Sequence, residues 1–306
     1  MMSTISAVIP TYNRASVIVE ALESALDQTR PANEIIVVDD GSTDETKSVV
    51  ARYGAKVRYI RQENGGPSAA RNRGIQEASS DFIALLDSDD LWVRDRLERQ
   101  CVALEANTEL DLLFGLESKF RPGKPDEAPE MNGLDGIELM NSTDYMVPDP
   151  LGMLLTKNCV ATSSVLFRRS CVEKVGSMDV QLRLAEDLEY WIRFALHGFR
   201  FGFVNHVLCR RRLHEGNLVN QTLALKASAA EVLSRYRDYS PEHRERVARS
   251  LSGMHYDLGS AFLMRGDWNN AYLHLKGGRP IHQNGLRWRI KLTAASLLCR
   301  LSGKHE

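Results

Sequence analysis

Two apolar runs in this chain end abruptly in acid. The first is "VVDDGSTDET", Val37 to Thr46, where Asp39 and Asp40 stop a buried run and a Gly-Ser turn follows. The second is "FIALLDSDDLW", Phe82 to Trp92, which carries Asp87, Asp89 and Asp90. Both sit in a stretch that alternates between strand and helix patterns. Residues 5–9, 34–38, 56–60 and 81–86 read as short buried strands. Residues 14–28, 43–53, 67–78 and 94–106 read as helices, the third with Pro67 near its start. Such alternation predicts an α/β fold with a mostly parallel sheet covered on both faces. In sheets of that kind, ligands bind beyond the carboxyl ends of the strands. Both acid clusters are expected there, at one crevice.

The rest of the chain is less regular. Residues 121–133 hold three prolines and no periodicity, which predicts an exposed loop. Residues 163–169 read as a strand and 185–198 as a helix with an acidic start and a glycine at its end. From about Asn220 the pattern is helical. Residues 255–278 read as two helices joined at Arg265, Gly266 and Asp267, a hairpin that needs a neighbour to bury its face. In the tail, "RWRIKLTAASLLCRL" (Arg287–Leu301) interleaves basic and apolar residues. It fits either a packing helix with a solvated basic edge or a helix lying on an anionic membrane.

Composition excludes some classes. The net charge is −1 over 306 residues, so no global field favours nucleic acid. No apolar run approaches the ~20 residues of a membrane span. The five cysteines, Cys101, Cys159, Cys171, Cys209 and Cys299, are odd in number and widely spaced, without a C-x-x-C pair. They suggest reduced thiols in a cytoplasm rather than a disulfide framework or a zinc site.

The carboxylates admit several readings. A calcium loop starting at Asp87 fails, because Leu91 and Trp92 stand where oxygen and glycine are required. A haloacid-dehalogenase-like nucleophile loop needs aspartates two apart, whereas Asp39 and Asp40 are adjacent. "PTYNRA" follows the first strand in place of a G-x-G-x-x-G turn, which disfavours a dinucleotide fold and a nucleotidyltransferase. "HEGNL" is not H-E-x-x-H. A nucleotide held through a metal remains. Asp87 and Asp89 form a D-x-D pair of hard oxygen donors suited to Mg²⁺ or Mn²⁺, and such an ion would neutralise a diphosphate leaving group.

Six stretches carry a resemblance. "VIPTYNR" (Val8–Arg14), "VVDDGSTD" (Val37–Asp44), "NGGPSAARNRGI" (Asn64–Ile75), "LLDSDD" (Leu85–Asp90), "AEDLEYWIR" (Ala185–Arg193) and "RRRLHEGN" (Arg210–Asn217) occur in the order and spacing of inverting family 2 glycosyltransferases. The chain resembles that family over residues 1–217. The resemblance implies a GT-A, Rossmann-like sheet flanked by helices. It implies a donor-binding half at 1–106, an acceptor half at 107–217 and a C-terminal helical region at 218–306.

The same resemblance implies roles. Pro10, Tyr12, Asp39, Asp40, Arg71 and Asp87 would bind the nucleotide. Asp89 and His214 would hold a divalent metal, Mn²⁺ or Mg²⁺. Asp187 would be the catalytic base, and Glu186, Trp191 and Asp90 would face the acceptor or support the site. The implied reaction moves one sugar from a nucleotide-diphosphate donor, with UDP the favoured carrier, to a glycan, lipid-linked or protein acceptor. No Q-x-x-R-W motif or membrane helix marks a processive synthase. The expected location is cytoplasmic, at the inner membrane face if the tail lies on lipid. A non-catalytic sugar-nucleotide or glycan-binding module stays open as an alternative, with a nucleotidyltransferase behind it.

Overall fold

Apolar β-prone runs bounded by polar turns make the first half of the sheet. In a computed structural model, β1 spans Ile5–Thr11, β2 Glu34–Asp39, β3 Arg58–Arg61 and β4 Phe82–Leu85. The helices between them are α1 (Ile18–Leu26), α2 (Thr46–Ala51) and α3 (Pro67–Glu77). The structure describes residues 3–124, 126–127, 145–213, 222–239, 241–278 and 285–301.

β1 pairs in parallel with both β2 and β4, and β2 pairs in parallel with β3. The chain thus winds one way from β1 to β2 and the other way to β4, and a crevice opens where the direction reverses. β1 and β4 pair only as far as Val8 and Leu85, whereas β1 continues beside β2 to Thr11 opposite Asp39. Gly74 lets α3 press onto this half: a Cβ there would meet Val8 Cγ1 at 2.3 Å.

The second half is mixed. β5 (Leu91–Trp92), β6 (Leu112–Phe120), β7 (Leu166–Arg168) and β8 (Phe201–Arg212) complete the sheet order β3-β2-β1-β4-β7-β6-β8-β5. β7 runs antiparallel to β4 and β6, β5 antiparallel to β8, and β6 parallel to β8. Helices α4 (Arg96–Ala106), α5 (Pro150–Thr156), α6 (Val172–Val175) and α7 (Glu186–Leu196) accompany it.

The structure differs from the sequence reading in several places. β5, β6, β8, α5 and α6 were not foreseen. The strand expected at 163–169 is shorter, because Thr162–Ser164 form a 3-10 turn and only Leu166–Arg168 pair. α1 starts at Ile18 rather than at residue 14. The amides of Arg14 and Ala15 are instead taken by Thr46 Oγ1 and Asp44 Oδ2, both at 3.0 Å. The loop expected at 121–133 lies largely outside the described residues.

The chain divides into two compact units, one of residues 1–154 and 158–215, the other of 155–157 and 216–306. The second contains α8 (Thr222–Arg235), α9 (Arg244–Met264), α10 (Trp268–Gly277) and α11 (Gly285–Leu301). α9 and α10 form a hairpin through Arg265, Gly266 and Asp267, and Asp267 caps α10 by accepting from Asn270 N at 3.2 Å. α11 packs on it through Ala295, Leu292 and Trp288, whose Nε1 donates to Leu275 O at 2.7 Å. No helix among the described residues is long and apolar enough to cross a membrane.

Candidate functional site

The site gathers at the carboxyl ends of β1, β2 and β4. Beyond β1 the chain turns at Asn13, which adopts a left-handed φ of 51°, a conformation asparagine tolerates better than most residues. Asn13 N donates to Ser42 Oγ at 2.9 Å, and Asn13 Oδ1 accepts from Thr43 N at 2.8 Å. These bonds clasp the loop after β1 to the loop after β2. Pro10 is buried within β1, and Tyr12 stands out from the strand end, 46% exposed.

The two aspartates after β2 diverge. Asp39 is fully buried; it accepts from Ser42 N at 2.7 Å and from the Tyr59 hydroxyl, closing the Gly41-Ser42 turn. Burial, then the charge of Asp39, raises the Tyr59 pKa. Asp40 reaches across to α3. Its Oδ1 accepts from Gln62 Nε2 at 2.8 Å and Gly65 N at 2.9 Å, and its Oδ2 accepts from Gly66 N at 2.8 Å. Gly66 holds φ 89°, which a side chain would resist. A carboxylate offers about four acceptor positions, so one remains on Asp40. Beside this clasp lies an open recess lined by Gly41, Arg61, Gln62, Glu63 and Asn64.

Arg71, on α3, joins the two halves of the sheet. Its Nη2 donates to Asp87 Oδ1 at 2.7 Å and its Nη1 to Glu186 Oε1 at 2.9 Å. Burial opposes the guanidinium charge, but Asp87 and Glu186 outweigh it and raise its pKa. Glu186 opens α7. Burial raises its pKa, with Arg71 pulling against that and Asp187 adding to it.

Asp187, the next residue, has different company. Its Oδ2 accepts from Asn158 Nδ2 at 3.1 Å and Thr162 Oγ1 at 3.3 Å, and its Oδ1 from Leu188 N at 2.7 Å. No cation among the described residues pairs with it. The turn that presents both acids passes through Ala185, at a left-handed φ of 59°. Such backbone costs a non-glycine residue roughly 1–2 kcal/mol and concentrates at functional sites.

After β4, the three aspartates separate in role. Asp90 is buried; it accepts from Ser163 Oγ at 2.7 Å and from Arg212 N at 3.1 Å, tying β4 to the 3-10 turn and to the end of β8. Burial, then the charges of Asp87 and Asp89, pushes its pKa well above the usual carboxylate range. Asp89 Oδ2 lies 3.4 Å from Arg14 Nη2. Beneath the loop, the fully buried Arg96 stacks at 4.0 Å over Trp92 and donates to Val165 O at 2.8 Å.

The structure therefore brings Arg71, Asp87 and Glu186 into one cluster, with Asp89, Asp90 and Asp187 close in sequence to its members. Trp191 lies apart from it, fully buried with Tyr190 and Phe194 at ring separations of 5.3 and 5.8 Å. His214 lies outside the described residues. Several partners escaped the sequence reading: Asn13, Gln62, Asn158, Thr162, Ser163 and Arg212. The one visible signal was a run of small polar residues, Thr162, Ser163 and Ser164, just before a strand.

Among the described residues no group of three or more His, Cys, Asp or Glu side chains is assembled to ligate a metal. The donor chemistry nonetheless fits a hard cation. Asp87 and Asp89 place two carboxylates in one loop, and Mg²⁺ commonly takes one or two carboxylates and completes its shell with substrate phosphates and water.

The class follows from the sheet. It is the GT-A fold of glycosyltransferases, shared with Staphylococcus aureus TarS 1–349 in complex with UDP-GlcNAc: TM-score 0.69, 18% identity, covering 98% of this chain and 92% of that one. The mannosyltransferase PcManGT of Pyrobaculum calidifontis, solved with GDP-Man and Mn²⁺, matches with a TM-score of 0.63 at 18% identity, over 98% of this chain and 81% of that one. The chain belongs to glycosyl transferase family 2, whose sequence model matches residues 6–175. An uncharacterized glycosyltransferase of Rickettsia typhi is 32% identical over 228 residues, 72% of this chain and 67% of that protein. A protein named as a teichuronic acid biosynthesis glycosyltransferase, TuaG of Bacillus subtilis, is 30% identical over 215 residues, 68% of this chain and 79% of its own length.

Proposed function

We propose that this protein transfers a single sugar from a nucleotide-diphosphate donor, a UDP-sugar, to an acceptor hydroxyl with inversion. The observation that carries the reading is the contrast between neighbouring acids on α7: Glu186 is spent on Arg71, while among the described residues Asp187 meets neutral donors. A carboxylate bonded to a guanidinium has its oxygen and its position committed to that partner; one held by amide and hydroxyl groups is oriented without being tied to a cation. The acceptor oxygen attacks the anomeric carbon as the bond from that carbon to the diphosphate breaks. The hydroxyl proton passes to Asp187, and the nucleoside diphosphate leaves.

In this reading the base sits in the recess beside Asp40, whose remaining acceptor position faces a base N–H. Tyr12 and Pro10 also bind the nucleotide, as the resemblance suggests, and Asp39 fixes the turn. Asp87 faces the ribose, and Arg71 holds Asp87 in place. A divalent ion held by Asp89, with His214 as the resemblance suggests, would supply positive charge to the leaving diphosphate. Asp90 and Trp191 support the loop and α7 from inside. The domain expected from the sequence at residues 1–217 carries the reaction, and the transfer is non-processive. No disulfide joins any of the five cysteines, in keeping with a cytoplasmic setting.

Incubation with a panel of sugar nucleotides, Mn²⁺ or Mg²⁺ and several acceptors tests this reading. Release of UDP from a UDP-sugar is expected. Binding without any release would leave a sugar-nucleotide-binding module, and pyrophosphate from a nucleoside triphosphate would make the protein a nucleotidyltransferase.

The metal assignment has its own test. Asp89→Asn is expected to abolish most of the metal dependence of donor binding, measured by calorimetry with and without Mn²⁺. Asp95→Asn is the control: Asp95 sits one turn on, at the start of α4, where it pairs with Arg99 at 2.6 Å. Equal Mn²⁺ dependence in wild type and Asp89→Asn would remove Asp89 from the metal.

A further inference from the structure

The C-terminal helices play no part in the reaction described above, and their charge sets them apart. Residues 216–306 carry 14 Lys and Arg against 7 Asp and Glu, while residues 1–215 carry 25 against 33. The near-neutral chain is thus an acidic segment followed by a basic one, an asymmetry expected where one part of a protein meets an anionic surface.

The basic charge is organised on α11. That helix holds Arg287, Arg289, Lys291 and Arg300 and no acidic residue. Its inner face is fixed by Trp288, Leu292, Ala295 and Cys299, and Lys291 turns inward, donating to Ser260 Oγ at 2.8 Å. The opposite face is open. Ile290 is 60% exposed and Leu297 57% exposed. Seven residues apart, they stand within about 20° of each other around the helix. Arg287 flanks this stripe on one side, and Arg289 and Arg300 on the other. None of the three arginines has a carboxylate partner among the described residues. Exposed apolar side chains also concentrate in this part of the molecule. Tyr239, Met264, Leu273, Ile290 and Leu297 lie beyond residue 216, against Tyr12, Val102 and Val180 before it.

We propose that α11 lies on an anionic lipid surface. Ile290 and Leu297 enter the acyl boundary, and Arg287, Arg289 and Arg300 pair with headgroup phosphates. An interfacial helix needs both an apolar stripe and basic flanks, and α11 presents them together on the face its own unit leaves open. An acidic protein groove would match the arginines, but would leave two branched apolar side chains set among charges. An amphipathic helix held in this way attaches peripherally and reversibly.

The full-length protein is mixed with sedimenting vesicles, either phosphatidylcholine alone or phosphatidylcholine with phosphatidylglycerol in equal parts. Donor is omitted, so the result is independent of sugar transfer. Binding is expected only to the anionic vesicles, weakening as salt rises. Each arginine removed is expected to cost about fivefold in affinity, so Arg287→Gln, Arg289→Gln and Arg300→Gln together lower it on the order of a hundredfold. Ile290→Ser with Leu297→Ser should also lower it, while unfolding midpoints stay near wild type because all five side chains are exposed. The proposal is overturned if wild type ignores anionic vesicles or binds neutral ones equally. It is overturned too if the triple variant binds as wild type does, or if this face proves to be a dimer contact without lipid affinity.

Discussion

Asp187→Asn is expected to bind donor as wild type does and to lose transfer by a factor of about 10²–10⁴, the usual range for removal of a positioned general base. Asparagine keeps the size of the side chain and an oxygen for Asn158 Nδ2 and Thr162 Oγ1, the groups that orient Asp187. The substitution therefore removes basicity and, of the three hydrogen bonds, the one that Oδ1 accepts from Leu188 N. If Asp187 did no more than complement the N-terminal dipole of α7, its loss would cost about 0.3–1 kcal/mol of stability and leave turnover unchanged. The decisive measurement is turnover at saturating donor and acceptor, alongside donor affinity by calorimetry. Near-wild-type turnover would take the base away from Asp187. Glu186 would be the next candidate, although its bond to Arg71 argues against it.

The second large effect is expected at Arg71. Arg71→Met leaves two carboxylates without their cation. Removing one member of a buried ion pair costs about 3–5 kcal/mol, because the survivor stays buried and uncompensated. The side chain of Glu186 is 10% exposed and that of Asp87 31% exposed, so Glu186 carries most of the penalty and water relieves part of Asp87's. The lower end of the range is therefore expected, observed as a fall in the urea midpoint without a change in slope. Adding Glu186→Gln to Arg71→Met should recover part of the loss, since a neutral amide tolerates burial better than an unpaired charge. UDP affinity should also fall in the single variant, because Asp87 loses the group that holds it. Unchanged stability and unchanged UDP affinity together would show that the cluster holds neither the fold nor the nucleotide.

Legibility in the sequence followed the range of the interactions involved. β1, β2, β4 and α3 could be read because each is marked locally, by a short apolar run, which in β2 and β4 ends in acid, or by Pro67 at a helix start. β8 could not. Its last residues, Arg210, Arg211 and Arg212, look like a solvated basic run. Yet Arg212 is buried, with its Nε donating to Asp89 O at 3.0 Å, its amide to Asp90 at 3.1 Å and its guanidinium paired with Glu20 at 3.0 Å. β6 is obscured by breaks in its pairing register on either side of Leu116. The six motifs named residues that cluster in space, such as Arg71, Asp87 and Glu186, but not their bonds. Arg71 and Glu186 are 115 positions apart, and no local pattern states that one guanidinium will serve both carboxylates. Nor does the sequence separate Asp39 from Asp40. One closes its own turn and the other reaches α3, a difference set by the left-handed Gly66 and by Tyr59 on the neighbouring strand.

The reach of Asp40 has a consequence for how any phosphate can be held. The start of a helix is ordinarily a place where a free anion docks on unclaimed amides. At the entry to α3 that place is partly taken from within: Gly65 N and Gly66 N both donate to Asp40, and Pro67 contributes no N–H, which leaves the amides of Ser68 and Ala69 in the first turn. The chain carries its own permanent counter-anion where a glycine-rich phosphate loop would receive one from solution. A visiting diphosphate then draws most of its positive charge from elsewhere, from side-chain cations or a metal ion. Those can be repositioned or released between turnovers, as a backbone cradle cannot.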